Sequence, residues 1–305
     1  MAEHGAAGGR ARGMALTTLS ALLFGVTPMV ASLIYGMGGN AVTLTFYRNL
    51  MVVPVLLLLM RVQGIPFRVS RREAGLLLLM GVGFRASTTL MLYQSYAYIP
   101  TGMANTLHFL YPVGTALLCR LLFRERLGPW KAAALVAAAL GMLCFLDLKA
   151  GADPWGVALA AASSLTYACY LTGMDKTALR EMHPNKVACY MGFSNAAAML
   201  AVGLPTRQLR FALPAAALGL AFVLAMTTSF LAVSLLQRGI QSLGASSAAI
   251  FSMFEPITSV VVGALFLAEP VTARSLLGCC LILGGVVLII LADRRGAAAI
   301  NTGGA

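Results

Sequence analysis

Charge is what this sequence has least of: 10% of its 305 residues are Asp, Glu, Lys or Arg, against about 25% in an ordinary soluble domain. Histidine is confined to His4, His108 and His183, which no local spacing gathers into a zinc site. The ten acids include no pair of carboxylates on one helix face suited to acid–base work. No phosphate-cradling Gly-Lys-Ser loop occurs, which argues against ATP as an energy source. The cysteines (Cys119, Cys144, Cys169, Cys189, Cys279 and Cys280) all fall in apolar segments and read as small packing residues, not disulfides or metal ligands. These absences exclude a soluble enzyme, a disordered chain and a disulfide scaffold. They leave a membrane enzyme without a catalytic constellation, and no cofactor or metal is expected.

Apolar sequence is what remains: 59% of residues are hydrophobic and the mean hydropathy is +0.85. A helix crosses about 30 Å of hydrocarbon with roughly 20 apolar residues. Ten such stretches can be cut from the chain, at 14–35, 41–60, 74–98, 103–123, 130–147, 155–173, 186–204, 214–236, 243–267 and 273–292. Turn and helix-start signals separate them, among them Gly38-Gly39-Asn40, Gly128-Pro129, Ala152-Asp153-Pro154 and His183-Pro184-Asn185. The first stretch follows Arg12 directly and lacks a clean small-residue cleavage site, so it is expected to remain as a span.

The net charge of +12 would suggest nucleic acid if it were spread over a soluble surface. Here the basic residues alternate by linker. Sixteen fall in the termini and even-numbered linkers, and four (Lys149, Arg207, Arg210 and Arg274) on the opposite side. By the positive-inside rule both termini are cytoplasmic, and no nucleic-acid partner is expected. Arg48 and Arg85 remain inside spans.

The sequence also repeats. A shift of 144 residues places Ala104 on Ala248, Pro112 on Pro256, Glu125 on Glu269 and Gly141 on Gly285. A shift of 143 places Ser20 on Ser163, Phe24 on Tyr167 and Tyr47 on Tyr190. Five spans per half is an odd number, so the second half enters the membrane upside down, as in many secondary transporters. The expected fold is therefore an all-α integral membrane protein of ten transmembrane helices in two inverted five-helix repeats. Its parts are a cytoplasmic tail at 1–13, repeats at 14–147 and 155–292 joined by a loop at 148–154, and a cytoplasmic tail at 293–305.

The segments Ala104–Leu127, with Pro112 and Glu125-Arg126-Leu127, and Gly244–Glu269, with Gly244-Ala245-Ser246, Glu255-Pro256 and Gly263, resemble the drug/metabolite transporter superfamily. Within it they resemble the EamA family of bacterial ten-helix carriers, and the likeness extends from Leu16 to Leu291. Arg48 resembles an arginine common in that family. The resemblance implies a central cavity lined mainly by the first, third, fourth, sixth, eighth and ninth helices. It also implies transport of amino acids, related metabolites or drugs, commonly outward.

Within the spans, Arg85 and Glu255 each lie about twelve residues from the same side, ~18 Å deep at 1.5 Å per residue. An ionised group there costs at least about 2.5–3.5 kcal/mol unless it meets water or a partner. Arg85 can hold a carboxylate, and Glu255 an ammonium group or a proton; the alternative is that the two pair with each other or that Glu255 fixes a gate. Arg85, Thr88, Thr89 and Leu92 share a face by helical spacing, with Tyr93 alongside, and Ser163, Thr166, Tyr167 and Tyr170 make a comparable face on the sixth span. His108 either lines the outer cavity or packs. Arg48 reads as structural, or as a coupling or gating group, and Pro112 and Pro256 as kinks or moving gates. The small residues Ala133, Ala137 and Gly141 suit tight internal packing or a homodimer contact.

The expectation is a secondary carrier in a bacterial inner membrane. It alternates access to a central cavity and exports a small metabolite, an amino acid or related zwitterion first, with a proton or counter-substrate as partner. Nucleobases, organic cations and drugs are the alternative substrates; a channel, a receptor and a membrane enzyme rank below.

Overall fold

The computed structural model describes residues 2–145, 153–266 and 271–302, with side chains from residue 9 to residue 291. Among these residues the structure is helical throughout. The long segments are α1 (Gly9–Gly36), α2 (Ala41–Val62), α3 (Arg71–Ser95), α4 (Thr101–Phe123), α5 (Pro129–Leu143), α6 (Pro154–Lys176), α7 (Pro184–Gly203), α8 (Ala215–Leu243), α9 (Ala245–Phe266) and α10 (Ala273–Leu291). Eight of them are long and apolar enough to cross a membrane; α5 is shorter, and α7 is not among the eight. Expected and observed ends agree within a few residues except at α8, which runs on to Leu243 and carries Arg238 on a helix where a linker was expected. The α10 helix continues to Thr302, past the expected tail boundary at 293, through an Ala-rich stretch that favours helix.

Local chemistry sets these ends. Asn40 caps α2 by accepting from the Thr43 N–H at 2.8 Å, and Ser70 with Glu73 forms a capping box on α3. Asp153 caps α6, accepting from the Trp155 N–H at 2.7 Å. Prolines open α5, α6 and α7, where a missing N–H costs nothing. The whole connection between α8 and α9 is Gly244, whose φ of +78° is natural only to glycine.

The packing follows a two-fold pattern. Helices α5 and α10 pack together, as do α2 and α7, α1 and α8, and α3 and α6. A Cβ placed on Gly141 would lie 2.7 Å from the Gly278 carbonyl oxygen, and one on Gly285 would lie 2.8 Å from that of Ala134. These two contacts are 144 residues apart on both sides, and residues rising along α5 meet residues falling along α10. The pair is antiparallel. Helices α2 and α7 are antiparallel too, because Gly192 abuts Asn49 and Val52 while Gly203 abuts Val42. Gly141 thus serves internal packing, within the buried face Ala134, Ala138 and Gly141; Ala133 points outward.

Helix irregularities repeat as well. α4 breaks at Phe109–Leu110 and restarts at Tyr111; α9 breaks at Ser252–Met253 and restarts at Phe254. Pro112 and Pro256 follow these breaks, as the sequence anticipated, because proline cannot donate to the preceding turn. Both α3 and α8 contain one wide π-helical segment, Leu79–Ala86 and Ala225–Ala232. The cysteines are unpaired.

Candidate functional site

Arg85 stands near the end of the π segment of α3, a distortion that recurs at functional sites because it re-aims a side chain. Its Nη1 donates to the Tyr170 hydroxyl at 3.1 Å, and its guanidinium lies 5.5 Å from the centre of that ring. Tyr170 stacks on Tyr167, with ring centres 5.6 Å apart. Tyr167 meets Tyr111 edge-on at 4.6 Å and His108 at 5.5 Å. One aromatic cluster thereby joins α4 to α6, with Arg85 of α3 at its border.

Glu255 opens the second part of α9, one residue past the restart. Protein surrounds it, yet its side chain keeps partial accessibility, as do those of Arg48, Arg85 and Tyr167. These four partly accessible groups come from α2, α3, α6 and α9. Tyr167 is within electrostatic range of both Arg85 and Glu255. Among the described residues no salt bridge joins Arg85 to Glu255, and the charged neighbour of Glu255 is Arg48. The pairing alternative for Arg85 and Glu255 is therefore not what the structure adopts. Gly25 lets α1 reach this point, since a Cβ there would lie 2.7 Å from the Glu255 carbonyl oxygen.

The other anticipated residues divide by what their polar atoms already hold. The Thr88 hydroxyl is taken by the Phe84 carbonyl at 2.8 Å and by Thr166 at 2.7 Å, which ties α3 to α6. Thr89 donates to the Arg85 carbonyl at 3.2 Å. His108 is buried with Nδ1 at 3.1 Å from the Ser163 hydroxyl, which holds α4 against α6. The Tyr93 hydroxyl lies 3.5 Å from that of Thr45, and its ring centre 5.8 Å from that of Tyr96. Arg48 is within electrostatic range of Glu255 and Tyr35, and its buried Nε has no hydrogen-bond partner.

Sequence reasoning missed Tyr111, Tyr35 and Asp175. Tyr111 is buried within the aromatic cluster and in hydrogen-bonding reach of Ser252, so the two helix breaks touch. The signal was its place three residues after His108 and directly before Pro112. Asp175, fully buried at its side chain, faces Lys176 at 2.9 Å and Arg180 at 3.3 Å without aligned hydrogen bonds. Glu125 adds Lys131 at 2.9 Å and Lys176 at 3.3 Å. Burial alone would raise the Glu125 carboxyl, but the Lys131 hydrogen bond and the two lysine charges hold it below its ordinary value. This network binds the ends of α4 and α6 to the starts of α5 and the α6–α7 linker, and Cys119 lies buried beneath it.

The opposite end is fastened differently. Arg210 donates to the Gly38 carbonyl at 2.6 Å, and Asn40 to that of Gln208 at 2.6 Å. Hydrogen bonds to backbone carbonyls occur at both ends, as from Lys186 to Arg68 at 2.6 Å beside the ion-pair network; among the described residues the ion pairs occur at one end alone. The described residues hold no cluster of metal-ligating side chains.

A model of the EamA-like transporter family matches residues 11–146 and again 154–291. No protein of curated function matches the sequence. A solved protein crystal structure superposes with a TM-score of 0.81 over 93% of this chain and 99% of its own, at 16% identity, a likeness of fold alone.

Proposed function

The chain belongs to the EamA-like transporter family, matched once in each half, and from that premise we propose that it is a secondary carrier for an amino acid or related zwitterion. The observation that carries the substrate reading is a pair of opposite charges, Arg85 and Glu255, that form no ion pair with each other although Tyr167 is within electrostatic range of both. Arg85 takes the carboxylate, whose planar oxygens suit a guanidinium fork. Glu255 takes the ammonium group. Thr88 and His108 brace α3 and α4 against α6, and so set the width of the site.

In this reading all ten helical segments cross the bilayer as two inverted repeats. The antiparallel α2–α7 and α5–α10 pairs support the inversion. The basic linkers support termini on the cytoplasmic side; a bacterial inner membrane and export as the net direction are what the family resemblance implies. The unequal ends support alternating access. In this reading the ion pairs around Glu125 and Asp175 are a cytoplasmic gate that separates in a second conformation, with the breaks before Pro112 and Pro256 as its bending points.

One observation favours an organic cation instead: Glu255 beside the Tyr111–Tyr167 rings is a cation-binding chemistry. Two interior arginines weigh against it. Counterflow decides. Vesicles carrying the purified protein are preloaded with unlabelled amino acids, and uptake of labelled ones is followed. Transient, saturable accumulation supports the carrier; linear, unsaturable flux indicates a channel; binding without flux indicates a receptor. Counterflow of organic cations or nucleobases alone removes the zwitterion.

A further inference from the structure

The site just described has one charge left over. Among the described residues Glu255 is the only acid between the two ends of the bundle; the buried Asp175 belongs to the ion-pair end and already has Lys176 and Arg180. Two guanidiniums occupy the same interior. Arg85 has a tyrosine hydroxyl as its polar partner and no carboxylate. Arg48 has Glu255 as its charged neighbour, yet no ion pair within 4 Å, and its buried Nε has no hydrogen-bond partner.

A cation within a span that makes no close ion pair is costly and normally meets an anion in some state of the protein. A neutral zwitterion cannot supply one, because its carboxylate and ammonium are matched by Arg85 and Glu255. We propose that the carried molecule is an amino acid bearing a second acidic group, and that Arg48 receives that group. The assignment rests on the carrier reading above. Arg48 then sets specificity: it is within electrostatic range of Glu255 without pairing to it, so a substrate holding its amine to Glu255 can direct a side-chain acid toward Arg48. Tyr35, in electrostatic range of Arg48, has a hydroxyl that can share the same oxygen atoms.

The test is counterflow of labelled L-aspartate and L-glutamate against labelled L-alanine, L-threonine and L-lysine, on wild type, Arg48→Gln and Arg48→Lys. The expected result is a half-saturating concentration at least tenfold lower for the acidic pair in wild type. Arg48→Gln lowers that ratio about tenfold, and Arg48→Lys keeps most of it. If Arg48→Gln does not fold, the wild-type ratio and the Arg48→Lys ratio still decide. Neutral amino acids carried as well as acidic ones overturn this inference and leave the amino-acid carrier standing. An acidic preference unchanged in Arg48→Gln removes Arg48 from the assignment. No flux of any amino acid overturns both readings together.

Discussion

At the helix break of the first half stands Tyr111-Pro112; at the break of the second, 144 residues on, stands Glu255-Pro256. The π segment of α3 carries Arg85, and the matching place in α8 is Leu231, which points outward. Arg48 on α2 corresponds to Met191 on α7, which is buried. In contrast, the contacts that set backbone spacing do repeat: Gly141 on Gly278 and Gly285 on Ala134. The difference separates two kinds of constraint. Packing between equivalent helices obeys the two-fold and keeps its small residues and prolines. The charges do not: Arg48, Arg85 and Glu255 have no charged counterpart in the other half.

The largest expected effect breaks that asymmetry. Arg85→Ala removes a buried charged partner and should weaken half-saturation of counterflow about 30-fold or more. Leu231→Ala, at the equivalent place, should leave it within about twofold. Next, Glu255→Gln should weaken it about tenfold, whereas Tyr111→Phe keeps the ring contacts and should cost less than threefold, both read from the same uptake curves. Equal losses from the two members of either pair would mean that the halves contribute alike.

Symmetric packing predicts symmetric stability losses. Gly141→Val and Gly285→Val each force a side chain against a carbonyl under 3 Å away and should cost about 1–3 kcal/mol. Gly219, with nothing within 4 Å, should tolerate Ala without loss. Thermal unfolding in detergent checks all three.

A smaller effect concerns the ion-pair end. Glu125→Gln should raise alkylation of the buried Cys119 two- to threefold, measured with the other cysteines replaced, because Lys131 and Lys176 lose their shared partner. The pH sign follows from Glu125 being held below its ordinary value. A carboxylate with a lowered folded pKa contributes above its unfolded pKa of about 4.3 and loses that contribution as pH falls through the lower folded value. Cys119 alkylation, corrected for thiolate, should therefore be flat from pH 5 to 8.

Much of this frame was legible because its signals are local. Hydropathy marks a span and proline marks a break, so Pro112 and Pro256 point to both breaks from sequence alone. The π segment under Arg85 was not legible: its residues, Leu79 to Ala86, have no composition that separates them from α-helix. Asp175 escaped because its partners look like ordinary basic linker residues, and Glu125 reaches Lys176 only through the fold. Arg48 reads from the sequence as structural, with coupling or gating as the alternative; in the fold it is within electrostatic range of Glu255, which lies 207 residues away in sequence. Glu269, the repeat partner of Glu125, lies outside the described residues.

The central claim is that Arg85 and Glu255 are opposite poles of one carrier site. Its most direct measurement is amino-acid counterflow in vesicles holding wild type, Arg85→Ala or Leu231→Ala at equal protein content. The account predicts saturable exchange in wild type and Leu231→Ala, with half-saturation shifted about 30-fold or more in Arg85→Ala. Undiminished exchange in Arg85→Ala would contradict it and return Arg85 to a structural role beside Tyr170.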